Sequence, residues 1–112
     1  MGIEDLHGKY TAKFMDGVPA PAGVTVEFSA GANSGAVRIH ARVVNIMNGV
    51  LKVKENKLSG SLISTMMAGS DDLMAIEGIF LQGFTSGVTY TLREDGKLVL
   101  QLKSHTIEFV PA

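Results

Sequence analysis

Cysteine is absent from the chain, which excludes disulfide staples, thiolate nucleophiles and the thiolate zinc sites that hold many small domains together. Tryptophan is absent as well, and aromatic residues make up only 6%, too few for the interleaved aromatic and basic surface that stacks on bases. No sign of charge dominates. Ten basic residues against eleven acidic ones leave a formal net charge of −1, so the electrostatic footprint of a nucleic-acid partner is missing. The most basic run, Lys52 to Lys57, contains Glu55 and reads as a strand end plus a turn. Met1 to Tyr10 has neither a basic prefix nor an apolar run, so neither a signal peptide nor a transmembrane segment is expected, and a cytoplasmic protein is. Met1-Gly2 opens like a myristoylation site, but Leu6 stands where that motif wants Ser or Thr.

A chain of 112 residues forms one domain, residues 1–112, and buries roughly two thirds of its unfolded surface without staples. Most of it is written in short alternating strands. Leu6 to Phe14 sets Leu6, Gly8, Tyr10, Ala12 and Phe14 against His7, Lys9, Thr11 and Lys13. Val24, Val26 and Phe28 face in on a second strand, and Val37, Ile39, Ala41 and Val43 on a third. There Val44 breaks the alternation, by a bulge or by passing under a covering element. Asn45 and Asn48 are expected to hold the next turn through bonds to local backbone. Leu51 and Val53 face in on a fourth strand, after which Leu58 and either Leu62 or Ile63 pack. The Ser29–Gly35 loop reads as an ordinary hairpin loop; the alternative, a phosphate cradle, lacks the Lys-Ser or Lys-Thr ending and the helix that should follow it. Asp95-Gly96 joins two alternating strands as a hairpin, with Val88, Tyr90 and Leu92 on one and Leu98, Leu100 and Leu102 on the other. A last strand carries Ile107 and Phe109.

One helix interrupts the strands. Ser70 caps it, Asp71 and Asp72 suit its positive end, and Gly87 offers an exit, so the spacing predicts a helix over about residues 71–85. At about 100° per residue Leu73, Ile76, Phe80 and Phe84 share a face, with Glu77 only about 40° from its centre. A carboxylate placed there must be hydrogen-bonded, paired or protonated. The outer face, Ala75, Gly78 and Gln82, is small and nearly uncharged. Met66 and Met67, just before the cap, fill space between helix and sheet or form an adaptable binding edge.

Together these features predict an α+β domain: a strongly curved, mainly antiparallel sheet or partly open barrel of about seven or eight strands with one helix packed against it. No catalytic, cofactor-binding or metal site is expected. No nucleophile elbow supports the serines, a zinc site would have to draw on His7, His40 and His105 without clustered spacing, and no glycine-rich dinucleotide motif follows a strand. His7 and His40 adjoin only if their strands pair, and no histidine shows a carboxylate partner.

Several segments resemble the META domain family, which includes HslJ-type heat-inducible proteins of bacteria and small META proteins of trypanosomatid parasites. The resemblance lies in Asn45 to Gly49 as the Asn-x-x-x-Gly turn, Lys57-Leu58, Ser64-Thr65-Met66-Met67-Ala68 as the Ser-Thr-x-Met-Ala segment, and Glu77, Phe80 and Leu81 as Glu-x-x-Phe-Leu. It covers about residues 43–110, most closely in the manner of the cytosolic parasite members. Many bacterial members carry cysteines where Val44 and Gly69 stand, so the resemblance implies no redox role here. Met66 replaces their usual arginine and removes that partner for Glu77. Membership implies a sheet with one helix, no established catalysis, stress association in bacteria, and virulence in the infective metacyclic stage of parasites. Lipoprotein members add the secretory pathway as an expectation. The leading reading is a monomeric, non-enzymatic interaction protein with an unidentified protein partner at Ala75, Gly78 and Gln82. A carrier of a small apolar or lipid-like ligand and an uncharacterised enzyme are the alternatives. Glu77 is expected to bond to backbone N–H groups of Ser64 to Gly69 or to a basic side chain.

Overall fold

The computed structural model describes residues 6–33 and 35–112; the Met1-Gly2 lipidation reading and Ser34 of the Ser29–Gly35 loop lie outside them. In chain order the elements are β1 (Gly8–Met15), β2 (Val18–Pro19), β3 (Thr25–Ala30), β4 (Ala36–Arg42), β5 (Ile46–Lys54), β6 (Lys57–Ser59), β7 (Leu62–Ser64), α1 (Asp71–Ser86), β8 (Val88–Leu92), β9 (Leu98–Leu102) and β10 (His105–Pro111). Neighbours run β10-β9-β8-β6-β5-β4-β3-β1, and β1 pairs again with β10. That last pairing closes the sheet, so the curved sheet expected from the sequence is a closed antiparallel barrel of eight strands. β2 folds back on β1, and β7 runs beside the first half of β5.

The alternation of each strand explains the closure. Val26 and Phe28, Ile39 and Ala41, and Ile107 and Phe109 turn inward and are buried, and an eight-stranded barrel is just wide enough for such side chains to fill it. Leu51, Leu58, Leu98, Leu100 and Phe109 retain 0% accessibility, so the described interior is side chain rather than lumen. The first strand starts later than its alternation suggested, at Gly8 instead of Leu6. Leu6 is nevertheless buried, and the Tyr10 hydroxyl donates to its carbonyl at 2.9 Å.

The helix begins where Ser70 Oγ accepts the Leu73 N–H at 3.3 Å, and it ends with the Gly87 N–H on the Gly83 carbonyl at 2.8 Å. Gly87 has φ 112°, a conformation that suits glycine. Ile76, Phe80 and Phe84 of the expected stripe are buried, whereas Leu73 is only half-buried. The stripe also includes Gly83, which periodicity of large residues does not reveal: a Cβ there would lie 2.8 Å from Leu102 Cδ2. The helix packs on β6, β7 and β9, and the Phe84 carbonyl accepts the Gly60 N–H at 2.9 Å. No helix among the described residues is long and apolar enough to cross a membrane.

Candidate functional site

Between β7 and α1 the chain crosses over the β4–β5 corner as a strap, Thr65 to Gly69, and its placement depends on one buried carboxylate. Glu77 is 3% exposed. Its Oε2 accepts the backbone N–H of Val44 at 2.8 Å and of Asn45 at 2.5 Å, and its Oε1 accepts Asn45 Nδ2 at 2.9 Å. Burial works to raise the carboxyl's pKa, but the bonds from the Asn45 side chain and from the two backbone N–H groups outweigh it and hold the pKa below the ordinary value. Glu77 therefore stays ionised with its acceptors in use.

Asn45, 2% exposed, relays this anchor to the strap. Its Nδ2 also donates to the Met67 carbonyl at 2.9 Å, while its Oδ1 accepts the Met67 N–H at 2.6 Å and the Thr65 hydroxyl at 2.8 Å. Both amide protons and both carbonyl lone pairs are thus taken. A flipped amide would set its oxygen against Glu77 Oε1, so the carboxylate dictates the orientation of Asn45. Thr65 completes the join, its Oγ1 accepting the Ile46 N–H and its own N–H donating to the Ile46 carbonyl, both at 3.1 Å.

Two expectations are corrected by this geometry. Glu77 does not reach the Ser64–Gly69 backbone or a basic side chain; it holds the Val44-Asn45 backbone, and Asn45 holds the strap. Nor do Asn45 and Asn48 brace a turn over residues 45–49: the chain bends at residues 43–45 and Ile46 already opens β5, Asn45 acts on residues some twenty positions later, and Asn48 Oδ1 lies 2.7 Å from His40 Nδ1 across the β4–β5 ladder. Of the motif residues, Asn45, Thr65, Met67 and Glu77 meet in one network. Ser64 Oγ donates to the Thr65 carbonyl at 2.8 Å, Gly49 lies opposite Leu62 in register, Phe80 is buried against Phe84, Leu81 is half-buried, and Ala68 is exposed.

The break at Val44 marks the end of the strand: β4 stops at Arg42, and Val44 lies in the bend that follows, under the strap. A Cβ on Gly69 would collide with the Val44 side chain, so the strap comes this close only because position 69 is glycine. The remaining strap side chains point out: Met66 is 94% and Met67 57% exposed, and Ile63 on adjoining β7 is 81% exposed. Of the two residues left open at β7, Leu62 is the one that packs. On the helix, Ala75 and Gln82 are exposed and Gly78 is half-buried, with open space where its Cβ would be.

The histidines lie apart. β3 separates β1 from β4, so His7 and His40 do not adjoin. His105 Nδ1 is 2.7 Å from Asp16 Oδ2, a carboxylate partner from the β1–β2 turn that sequence separation conceals. Asp16 Oδ1 also accepts the Thr106 N–H at 2.8 Å. The His105 hydrogen bond, with that backbone bond, keeps the Asp16 carboxyl below its usual range. Among the described residues no group of three His, Asp or Glu side chains is placed to hold a metal ion.

A closed eight-stranded antiparallel barrel with one helix packed on it, and a Glu–Asn network pinning the crossing strap, define the class. The chain belongs to the META domain family, whose sequence profile matches residues 4–112. No curated protein matches. Two solved structures share the fold. One, an NMR structure, has TM-score 0.76 and 18% identity over 94% of this chain and 89% of its own. The other, an NMR structure of a protein from Burkholderia xenovorans, has TM-score 0.69 and 21% identity over 98% of this chain and 86% of its own. At those identities the likeness shows the fold alone.

Proposed function

We propose that this META-domain chain is a non-enzymatic protein that acts by docking, and that the strap with adjoining β7 is its docking element. One observation carries the reading: Ile63, Met66 and Met67 are 81%, 94% and 57% exposed on a segment whose backbone is pinned rather than loose. Contiguous apolar side chains held in water mark an interaction site, and Met adapts to irregular partners. The filled barrel interior gives the carrier reading no support. The use of Glu77's acceptors by Val44 and Asn45 suits an anchor better than a proton-transfer group. The small helix face of Ala75, Gly78 and Gln82 is a second candidate surface. Resemblance to the HslJ-type and trypanosomatid members extends the proposal to a stress- or virulence-associated role, in the infective stage for a parasite member, at a cytoplasmic or secretory-pathway site.

The test places a photo-crosslinking amino acid at Met66, Gln82 or Thr91 in living source cells. Defined adducts from position 66 that exceed those from position 91 support docking by the strap. Adducts from position 82 alone would move the surface to the helix, and equal labelling from all three would refute a docking surface.

A further inference from the structure

The outer face of β4 and β5, which the strap and β7 adjoin, is basic. Outward-facing Ile46, Asn48 and Val50 of β5 stand opposite Arg42, His40 and Arg38 of β4, and Ile63 of β7 lies on the other side of Asn48. Cross-strand neighbours have their Cβ atoms about 5 Å apart, so each exposed aliphatic residue of β5 has an arginine at its side. Lys52 and Lys54 continue the outward row of β5, and Lys57 pairs with Lys54. None of these arginines and lysines belongs to an ion pair found among the described residues. Glu27 stands one strand further off, opposite His40; exposed Glu55 lies in the turn between Lys54 and Lys57, and Asp71 and Asp72 open α1 just after the strap. Ile46 and Val50 on β5 are 37% and 53% exposed, adding aliphatic side chains beside Ile63 and the two methionines of the strap.

Resting on the docking reading above, we propose that this face binds an anionic lipid bilayer, with Ile63, Met66 and Met67 entering the headgroup region and Arg38, Arg42, Lys52 and Lys54 meeting lipid phosphates. A second copy of the chain is a poor occupant, because two such faces would set arginine against arginine. The shape favours lipid over an acidic protein. Met66 and Ile63 project from the surface and line neither the concavity of about 620 Å³ beside Tyr10 and Arg93 nor that of about 410 Å³ over Thr25 and Glu27, which Arg42 and His40 border at the edge of this face. Projecting side chains need a partner that deforms around them, as a headgroup layer does; long basic side chains beside them reach phosphates while their stems stay on apolar surface.

The test is co-sedimentation of the full chain with vesicles of phosphatidylcholine alone or with about 30 mol% phosphatidylserine, at about 0.05 and 0.5 M salt. Binding is expected on the anionic vesicles, with marked loss at high salt. At about fivefold per basic residue near the surface, Arg38→Glu with Arg42→Glu lowers partitioning at least 25-fold, and Ile63→Ser with Met66→Ser lowers it at least tenfold. These positions are exposed, and circular dichroism checks that each variant folds. Since the chain has no tryptophan, Met66→Trp adds a fluorophore that bromolipid should quench on docking. Absence of binding to anionic vesicles, equal binding to neutral ones, or indifference to the arginine pair would overturn the proposal. So would binding of an alternating acidic and apolar peptide without vesicle binding, which would assign the face to a protein. Protein adducts from position 66 would then leave the broader docking reading standing.

Discussion

Glu77→Gln isolates the charge at the centre of the network from its shape. The carboxylate accepts three hydrogen bonds, two on Oε2 and one on Oε1. A glutamine that keeps its oxygen on the Val44 and Asn45 N–H groups must turn its NH2 toward Asn45 Nδ2, donor against donor. One bond is lost and two lose their charge assistance, which together cost about 2–3 kcal/mol. Glu77→Ala leaves all three donors without their acceptor and costs about 4 kcal/mol by the same reasoning. Domains of this size are stable by about 5–15 kcal/mol, so the glutamine variant stays folded and measurable. Urea unfolding should show the loss globally. Amide exchange should show it locally, with the Met67 N–H, which depends on Asn45 Oδ1, exchanging about 30- to 150-fold faster. A stability change below about 0.5 kcal/mol, with Met67 exchange unaltered, would refute the anchor.

Acid should loosen the same network. The folded pKa of Glu77 lies below the ordinary 4.5, so its stabilisation is complete above that value and fades as pH falls through the folded pKa; exchange at Met67 should accelerate there in the parent chain and not in Glu77→Gln. Val44→Cys with Gly69→Cys should oxidise spontaneously, because a Cβ at position 69 lies 3.2 Å from that of Val44, near disulfide spacing. Mass spectrometry would show the bond, denaturation a gain of up to about 3 kcal/mol, and thiols that stay reduced in air would refute the close approach. On the helix, Gly83→Val should destabilise by about 2–3 kcal/mol through Leu102, whereas Gly78→Ala, with nothing within 4 Å of its Cβ, should gain up to about 1 kcal/mol. Matching midpoints for the two variants would show that α1 does not sit on β9 as described.

The barrel was largely legible because each strand carries its own evidence. A period of two in VTVEF, in LVLQL and in TIEF marks the inward residues without knowledge of any partner. The helix was legible for the same reason, since Ser70, the aspartates and the spacing of Ile76, Phe80 and Phe84 are local. Closure was not, because it depends on β1 meeting β10, residues nearly a full chain apart. The site divides along the same line. That Glu77 needed partners followed from its place on an apolar stripe, but the donors belong to a turn some thirty residues earlier. The single hint was Val44, whose break in alternation left a bulge and a cover equally open and did not say that Gly69 lay over it. Ile63 and Leu62 are chemically equivalent in sequence, so only the pairing of β7 with β5 reveals which is turned to water. The arginine column beside β5 likewise requires the register.

The exposure of Met66 follows from the buried network. Its neighbours Thr65 and Met67 are both fastened, Thr65 to Ile46 and Asn45, and Met67 to Asn45 through its N–H and its carbonyl. A residue between two pinned ones cannot fold back on the barrel to cover itself, although burying its side chain would gain about 1.5–3 kcal/mol. The carboxylate of Glu77 orients Asn45, Asn45 fixes the strap, and the strap holds Met66 outward. Glu77→Gln should therefore weaken vesicle binding while leaving every residue of the docking face unsubstituted. If the gain from preorganisation is comparable to one ordered, rotamer-rich side chain, about 0.5–1.5 kcal/mol, partitioning falls about two- to twelvefold. Unchanged partitioning together with accelerated Met67 exchange would show that the strap docks equally well when loose, and would break the link from the buried anchor to the surface.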